Sequence, residues 1–248
     1  METVVFCHGM PGSTADAELL QRVNPNVKII TLNLLDVDPA QIDIGLQKSF
    51  DVALRQAESP QVKLVGFSIG AMAAIKLAAL RPDCVSRLTL ISPAAPLTLG
   101  EFLPKMAGKP VFNLANRSPT LLRFLTRFQG LIARVSPNTM INMLFANCRT
   151  MEQELLKDPL FRNILSQALY ASLVQKPKSY QSYVCAYVSD WSGVLPDVSC
   201  PVVLWHGTKD TWSPPEMSEK LKKAFGGKAI VNWVDDAEHY SALTRTVL

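Results

Sequence analysis

The chain has 248 residues, 48% hydrophobic and 19% charged, which excludes a disordered polymer and supplies enough apolar material for a sizeable core. No run of about eighteen uncharged apolar residues occurs, so no membrane span is expected, and the start Met1-Glu2-Thr3-Val4-Val5-Phe6 lacks the basic head and long apolar stretch of a signal peptide. The net charge of +4 is unevenly spread: residues 97–195 hold eleven Lys/Arg against five Asp/Glu, and the remainder fourteen against sixteen.

Residues 3–7, Thr-Val-Val-Phe-Cys, read as a buried strand that runs into the turn-rich loop His8-Gly9-Met10-Pro11-Gly12-Ser13. A helix is predicted over 15–23, a strand over 27–32, and a helix over 41–57 whose apolar face carries Ile42, Leu46, Phe50, Ala53, Leu54 and Ala57. Then comes the stretch Val62-Lys63-Leu64-Val65-Gly66-Phe67-Ser68-Ile69-Gly70-Ala71-Met72-Ala73-Ala74: a strand, a glycine-bounded turn bearing a serine, and a helix rich in small residues reaching about residue 80. A strand over 85–91 follows. Strands alternating with helices at short spacing predict βαβ units and a parallel sheet.

The alternation stops near residue 97. Residues 118–134, 136–147, 149–175 (with a break at Asp158-Pro159) and 179–191 show helical patterns only, and no strand is predicted before Val202-Val203-Leu204-Trp205. A helix over 215–225 and a strand over 229–234 complete the pattern. The fold expected is α/β: a mostly parallel sheet of about six strands flanked by helices. Residues 1–96 and 196–248 form its core, and 97–195 form an inserted all-helical cap.

A serine hydroxyl attacks carbonyls only when a base takes its proton and a third group orients that base. Three histidines exist: His8 and His206 stand beside glycines at strand ends, and His239 lies in a polar loop past the last strand. In chain order Ser, then acid, then His, the candidates are Ser68, Asp210 and His239, with Asp210 in the turn His206-Gly207-Thr208-Lys209-Asp210 after a strand. Asp190, Asp197, Asp235 and Asp236 are the competing acids; His8 and His206 read as loop-shaping hydrogen bonders. Oxyanion donors are expected from the backbone N–H of Ile69, after the serine, and of Met10, since Pro11 has no N–H. Five scattered cysteines (Cys7, Cys84, Cys148, Cys185, Cys200) without a C-x-x-C predict a reduced, cytoplasmic protein. Neither they nor the histidines show metal-ligand spacing, so no metal or other cofactor is expected.

These residues resemble the α/β-hydrolase superfamily over essentially the whole chain. His8-Gly9-Met10-Pro11-Gly12 is similar to its H-G-x-P-G oxyanion loop, Gly66-Phe67-Ser68-Ile69-Gly70 to its nucleophile turn, His206–Asp210 to its acid turn, and Glu238-His239-Tyr240 to its histidine loop. Two features depart from the pattern. The sheet opens directly on the strand before the oxyanion loop, and Asn33-Leu34-Leu35-Asp36-Val37-Asp38-Pro39 replaces the D-x-x-G-x-G-x-S loop of many capped members. The second points away from the epoxide hydrolase, dehalogenase and C–C hydrolase branches, and serine rather than aspartate at 68 points further away from the first two.

The resemblance implies a serine hydrolase of a small-molecule carboxylic ester or thioester, acting through an acyl-enzyme. A C–C bond hydrolase or an acyltransferase would use the same residues; a non-catalytic hydrolase-like binding protein is the alternative of another class. Arg123, Arg127 and Arg134 fall at i, i+4 and i+11 and share one helical face. They read as a solvated basic face, or as a dock for an acidic acyl carrier protein in the manner of the pimeloyl-carrier methyl ester esterases that the cap resembles in outline. Nucleic acid is not expected, because the excess charge is small and carries no aromatic interleaving.

Overall fold

A computed structural model describes residues 2–248. Six strands, β1 (Glu2–Cys7), β2 (Val27–Leu32), β3 (Val62–Phe67), β4 (Val85–Ile91), β5 (Val202–Gly207) and β6 (Ala229–Val234), form one sheet in the order β2-β1-β3-β4-β5-β6, every pairing parallel. The central strands are continuous apolar runs because both faces of a parallel sheet are covered: Val4, Val5, Phe6, Leu64, Val65 and Leu88 are buried. The outer strand β6 exposes Ile230 and Trp233.

The connecting helices are α1 (Asp16–Val23), α2 (Ile42–Ala57), α3 (Gly70–Leu80) and α10 (Glu216–Phe225). The step from β1 to β2 runs opposite to the later steps, so right-handed crossovers set α1 on one face and α2, α3 and α10 on the other. Small residues let α3 lie close to the sheet: Ala71, Ala73 and Ala74 are fully buried.

Between β4 and β5 the chain forms α4 (Lys109–Arg117), α5 (Pro119–Val135), α6 (Pro137–Leu144), α7 (Thr150–Leu155), α8 (Pro159–Tyr170) and α9 (Pro177–Val188), with a π turn at Ala171–Gln175. Sequence reading overlooks α4, because Lys109-Pro110 reads as a break; the proline instead occupies the first turn, where no N–H is needed. The long pattern over 149–175 resolves into α7 and α8, split where Asp158 caps the new helix by accepting from Leu160 N–H. Residues past β6, read as a loop, contain the short helix α11 (His239–Leu243). This block meets the sheet side at Ser172, whose hydroxyl lies 3.0 Å from both the N–H and the carbonyl of Gly12.

The register aligns the strand ends. Cys7 pairs with Gly66, Phe67 with Ile91, Ile91 with Trp205, and Gly207 with Val234. The loops after β1, β3, β4, β5 and β6 therefore converge on the carboxyl edge of the sheet, where ligands of open α/β sheets bind.

Candidate active site

Ser68 stands between β3 and α3 with φ at 55°. This left-handed region costs a non-glycine residue about 1–2 kcal/mol. Neighbouring bonds hold it there: its N–H donates to Ile91 O at 3.0 Å, and its carbonyl accepts from Ala71 and Ala94 at 3.1 Å each. A Cβ on Gly66 would sit 2.7 Å from Ala71 Cα, and one on Gly70 would strike the carbonyl oxygens of Cys7 and His8. Both glycines are there because the turn is pressed between β1 and α3, as the sequence suggests.

Ser68 lines a cavity of about 310 Å³ walled on one side by Met10, Pro11, Ile69, Ala94 and Trp212, and on the other by residues of the helical block such as Phe112, Leu125, Met140, Leu144 and Val184. Among the described residues, no charged side chain lines it.

His239 is the first residue of α11. Its Nδ1 lies 2.8 Å from Asp210 Oδ2. A carboxylate can only accept, so Nδ1 carries a proton and donates it to Asp210. The imidazole packs against Phe67, the residue before Ser68, with ring centroids 4.9 Å apart, and against Trp212 at 5.3 Å. Its carbonyl accepts from Ser92 Oγ at 3.1 Å.

Asp210 is buried in the turn after β5, with Oδ1 accepting from the N–H groups of Trp212 and Ser213 at 2.8 and 2.9 Å. Burial pushes its carboxyl up, but the neighbouring imidazoles of His239 and His206 and their hydrogen bonds outweigh burial and hold it well below the usual carboxylate range. A Cβ on Gly207 would strike the carbonyls of Ala237 and Glu238, so glycine is required where the acid turn meets the histidine loop. Of the competing acids, Asp190 caps Ser192 and binds Thr98, while Asp197, Asp235 and Asp236 are exposed.

The other two histidines serve their loops. His206 Nε2 donates to Ser213 O at 2.7 Å and lies 3.4 Å from Asp210 Oδ2, while Nδ1 lies 2.6 Å from Ser218 Oγ. His8 Nε2 accepts from Leu34 N–H at 3.0 Å and Nδ1 donates to Gly9 O at 2.8 Å, with burial pulling its pKa down to about 4. His8 is thus a neutral brace for the loop that carries Met10. The N–H groups of Met10 and Ile69 find no protein acceptor among the described residues, and both residues line the cavity.

Arg123, Arg127 and Arg134 are not brought to this site. They stand exposed along α5, and none forms an ion pair among the described residues. Beside them Leu121, Phe124, Phe128, Leu131 and Val135 are exposed as an apolar stripe. Trp212 and Cys148, both lining the cavity, were also passed over; no local signal marks them, since the fold alone brings them near Ser68. Among the described residues no group of three or more His, Cys, Asp or Glu is arranged to hold a metal ion.

A family model described as alpha/beta hydrolase fold matches residues 2–246. The chain belongs to the alpha/beta hydrolase fold family. A pimeloyl-(acyl-carrier protein) methyl ester esterase of Neisseria meningitidis serogroup B is 26% identical over 234 residues, which cover 84% of this hydrolase-fold chain and 78% of that protein. Among solved structures, an esterase from Exiguobacterium antarcticum superposes with a TM-score of 0.65 at 18% identity, covering 96% of this chain and 85% of that one. An enol-lactonase from Burkholderia xenovorans LB400 superposes with a TM-score of 0.62 at 14% identity over 98% and 86%. These two share the alpha/beta hydrolase fold with the chain.

Proposed function

We propose that the chain hydrolyses carboxylic esters or thioesters through an acyl-enzyme on Ser68. The observation that carries this reading is the juxtaposition at the carboxyl edge: a serine on a strained turn facing an uncharged cavity, beside a buried His239–Asp210 pair. In this reading His239 Nε2 takes the hydroxyl proton as Ser68 Oγ bonds to the substrate carbonyl carbon. Asp210 holds Nδ1–H and stabilises the imidazolium. The Met10 and Ile69 amides receive the oxyanion, and the leaving alcohol or thiol departs with the proton from His239. Water, deprotonated by His239, then releases the acid. Residues 97–195 act as the cap that supplies the acyl pocket, and the free thiols fit a reducing cytoplasm.

The test is covalent labelling. A fluorophosphonate probe is expected to label the wild type and not Ser68→Ala, and hydrolysis of p-nitrophenyl butyrate should fall about 10⁴–10⁶-fold in Ser68→Ala or His239→Ala. An unlabelled wild type, or equal labelling of the variant, would overturn catalysis at Ser68, and the first would favour a non-catalytic binding protein.

A second, narrower reading makes the substrate carrier-linked. The Neisseria relatives named for a carrier-bound methyl ester favour it. So does α5, where the arginine row borders an exposed apolar stripe, a surface suited to an acidic helix with an apolar edge.

A further inference from the structure

We infer that Glu152, a residue of the helical block rather than of the α/β layer, is a positioning residue that sets the place of His239; this rests on the catalytic reading of Ser68 and His239. The argument begins with α11. A helix leaves its first N–H groups without internal acceptors, and α11 is only five residues long and starts at His239 itself. Glu152 Oε1 accepts from Tyr240 N–H at 2.6 Å, and its two oxygens accept from Ser241 N–H at 3.2 and 3.1 Å. The two residues following the histidine are thus held by a carboxylate from 88 and 89 positions away in the chain.

The residue preceding the histidine reaches back across the same seam. Both oxygens of Glu238 accept from Arg149 N–H, at 2.9 and 2.8 Å, while Glu238 N–H donates to Ser241 Oγ at 2.7 Å. Glu152 and Glu238 are each 1% exposed. Residues 149–152 and 238–241 therefore clasp one another through two buried carboxylates satisfied by backbone N–H groups, with no cation in either clasp among the described residues. Burying a carboxylate is costly, and neither clasp holds a cation that would offset the cost, so stability alone does not call for this arrangement. What the clasp secures is the main chain on both sides of His239.

Only two side-chain torsions separate that main chain from the imidazole, so an error in the backbone passes directly to Nε2. A misplacement of about 1 Å costs on the order of 100-fold in rate. The clasp also adjoins the cavity, since Asn147 and Cys148 line it immediately before Arg149. The wall that receives the acyl group is thus tied by hydrogen bonds to the helix that carries the base.

Full-length Glu152→Ala and Glu152→Gln decide the matter by three readouts: fluorophosphonate acylation rate, kcat and KM for p-nitrophenyl butyrate, and the ¹⁵N–¹H signal of His239 Nδ1. Glu152→Ala is expected to lower acylation and kcat about 10- to 100-fold with KM within about twofold, and to broaden the Nδ1–H signal. Glu152→Gln, which keeps one acceptor oxygen, should recover about half of that loss on a logarithmic scale. A folded Glu152→Ala with wild-type kcat and an unchanged Nδ1 signal would overturn the inference, leaving Glu152 a purely structural tie. Should Glu152→Ala fail to fold, a Glu152→Gln indistinguishable from wild type would overturn it equally. A wild type that resists acylation removes the catalytic reading instead, while the Nδ1 signal of the variants still reports whether Glu152 positions the ring.

Discussion

Asp16 opens α1 directly beneath the loop that carries Met10, fully buried, with no hydrogen-bond partner of good geometry for either carboxyl oxygen. Burial raises its pKa to about 8, with the N–H groups of Gly9 and Ser13 offsetting only part of the effect. The folded chain therefore keeps a proton that the unfolded chain, with an ordinary pKa of about 3.9, has lost. Across that window, between roughly pH 4 and 8, stability falls as pH rises. Asp16→Asn should remove this slope: its thermal midpoint should exceed that of the wild type at pH 8 and converge on it near pH 4–5, as followed by circular dichroism across pH. Gly70 is the opposite kind of residue, needed for what it lacks. Gly70→Ala would drive a methyl into the carbonyls of Cys7 and His8, and is expected to cost about 1–3 kcal/mol in urea unfolding and to displace Ser68.

At the scale of elements, α5 has distinct faces. Leu122, Thr126 and Ala133 pack inward, Leu125 and Gln129 line the cavity, Leu121, Phe124, Phe128, Leu131 and Val135 are exposed, and the three arginines border them. Periodicity located this helix, but its length of apolar surface concealed that a large share faces solvent. Reversing charge at Arg123→Glu with Arg127→Glu should raise KM for carrier-bound esters about tenfold or more and leave a p-nitrophenyl ester unaffected. An equal loss on both substrates would count against carrier docking. Two helices escaped sequence reading for physical reasons. Proline in α4 resembles a breaker until its place in the first turn is known, and α11 reverses the usual capping-box order, with Glu238 as cap and Ser241 three residues on. A helix of five residues has too little periodicity to be seen, and α11 is held by Glu152 from outside rather than by its own propensity.

For the whole molecule, the cavity beside Ser68 belongs to neither layer alone. Met10, Ile69 and Trp212 come from loops at the sheet edge, and Leu125, Met140 and Val184 from helices that lie between β4 and β5 in the chain. With about 310 Å³ and no charged side chain lining it among the described residues, the space would take, on the proposed reading, an uncharged acyl chain of moderate length. Leu125→Trp should therefore shorten the range of acyl groups accepted. We expect kcat/KM on p-nitrophenyl octanoate to drop about tenfold or more while the acetate is hydrolysed as before, measured over an ester series.

How much was legible in advance follows from the range of the interactions involved. Six strands, their parallel order of use and the glycine-bounded turn at Ser68 are written in local patterns: β-branched runs, proline stops, and a glycine on each side of the serine. Chain order and turn chemistry were enough to single out Asp210 and His239, which the fold brings to 2.8 Å of one another. Tertiary structure alone decided the protonated nitrogen of His239, the neutral bracing by His8, the raised pKa of Asp16 and the clasp of Glu152 and Glu238 on α11. Each of these depends on burial or on partners dozens of residues distant, and no window of sequence contains both the group and the surroundings that set its charge.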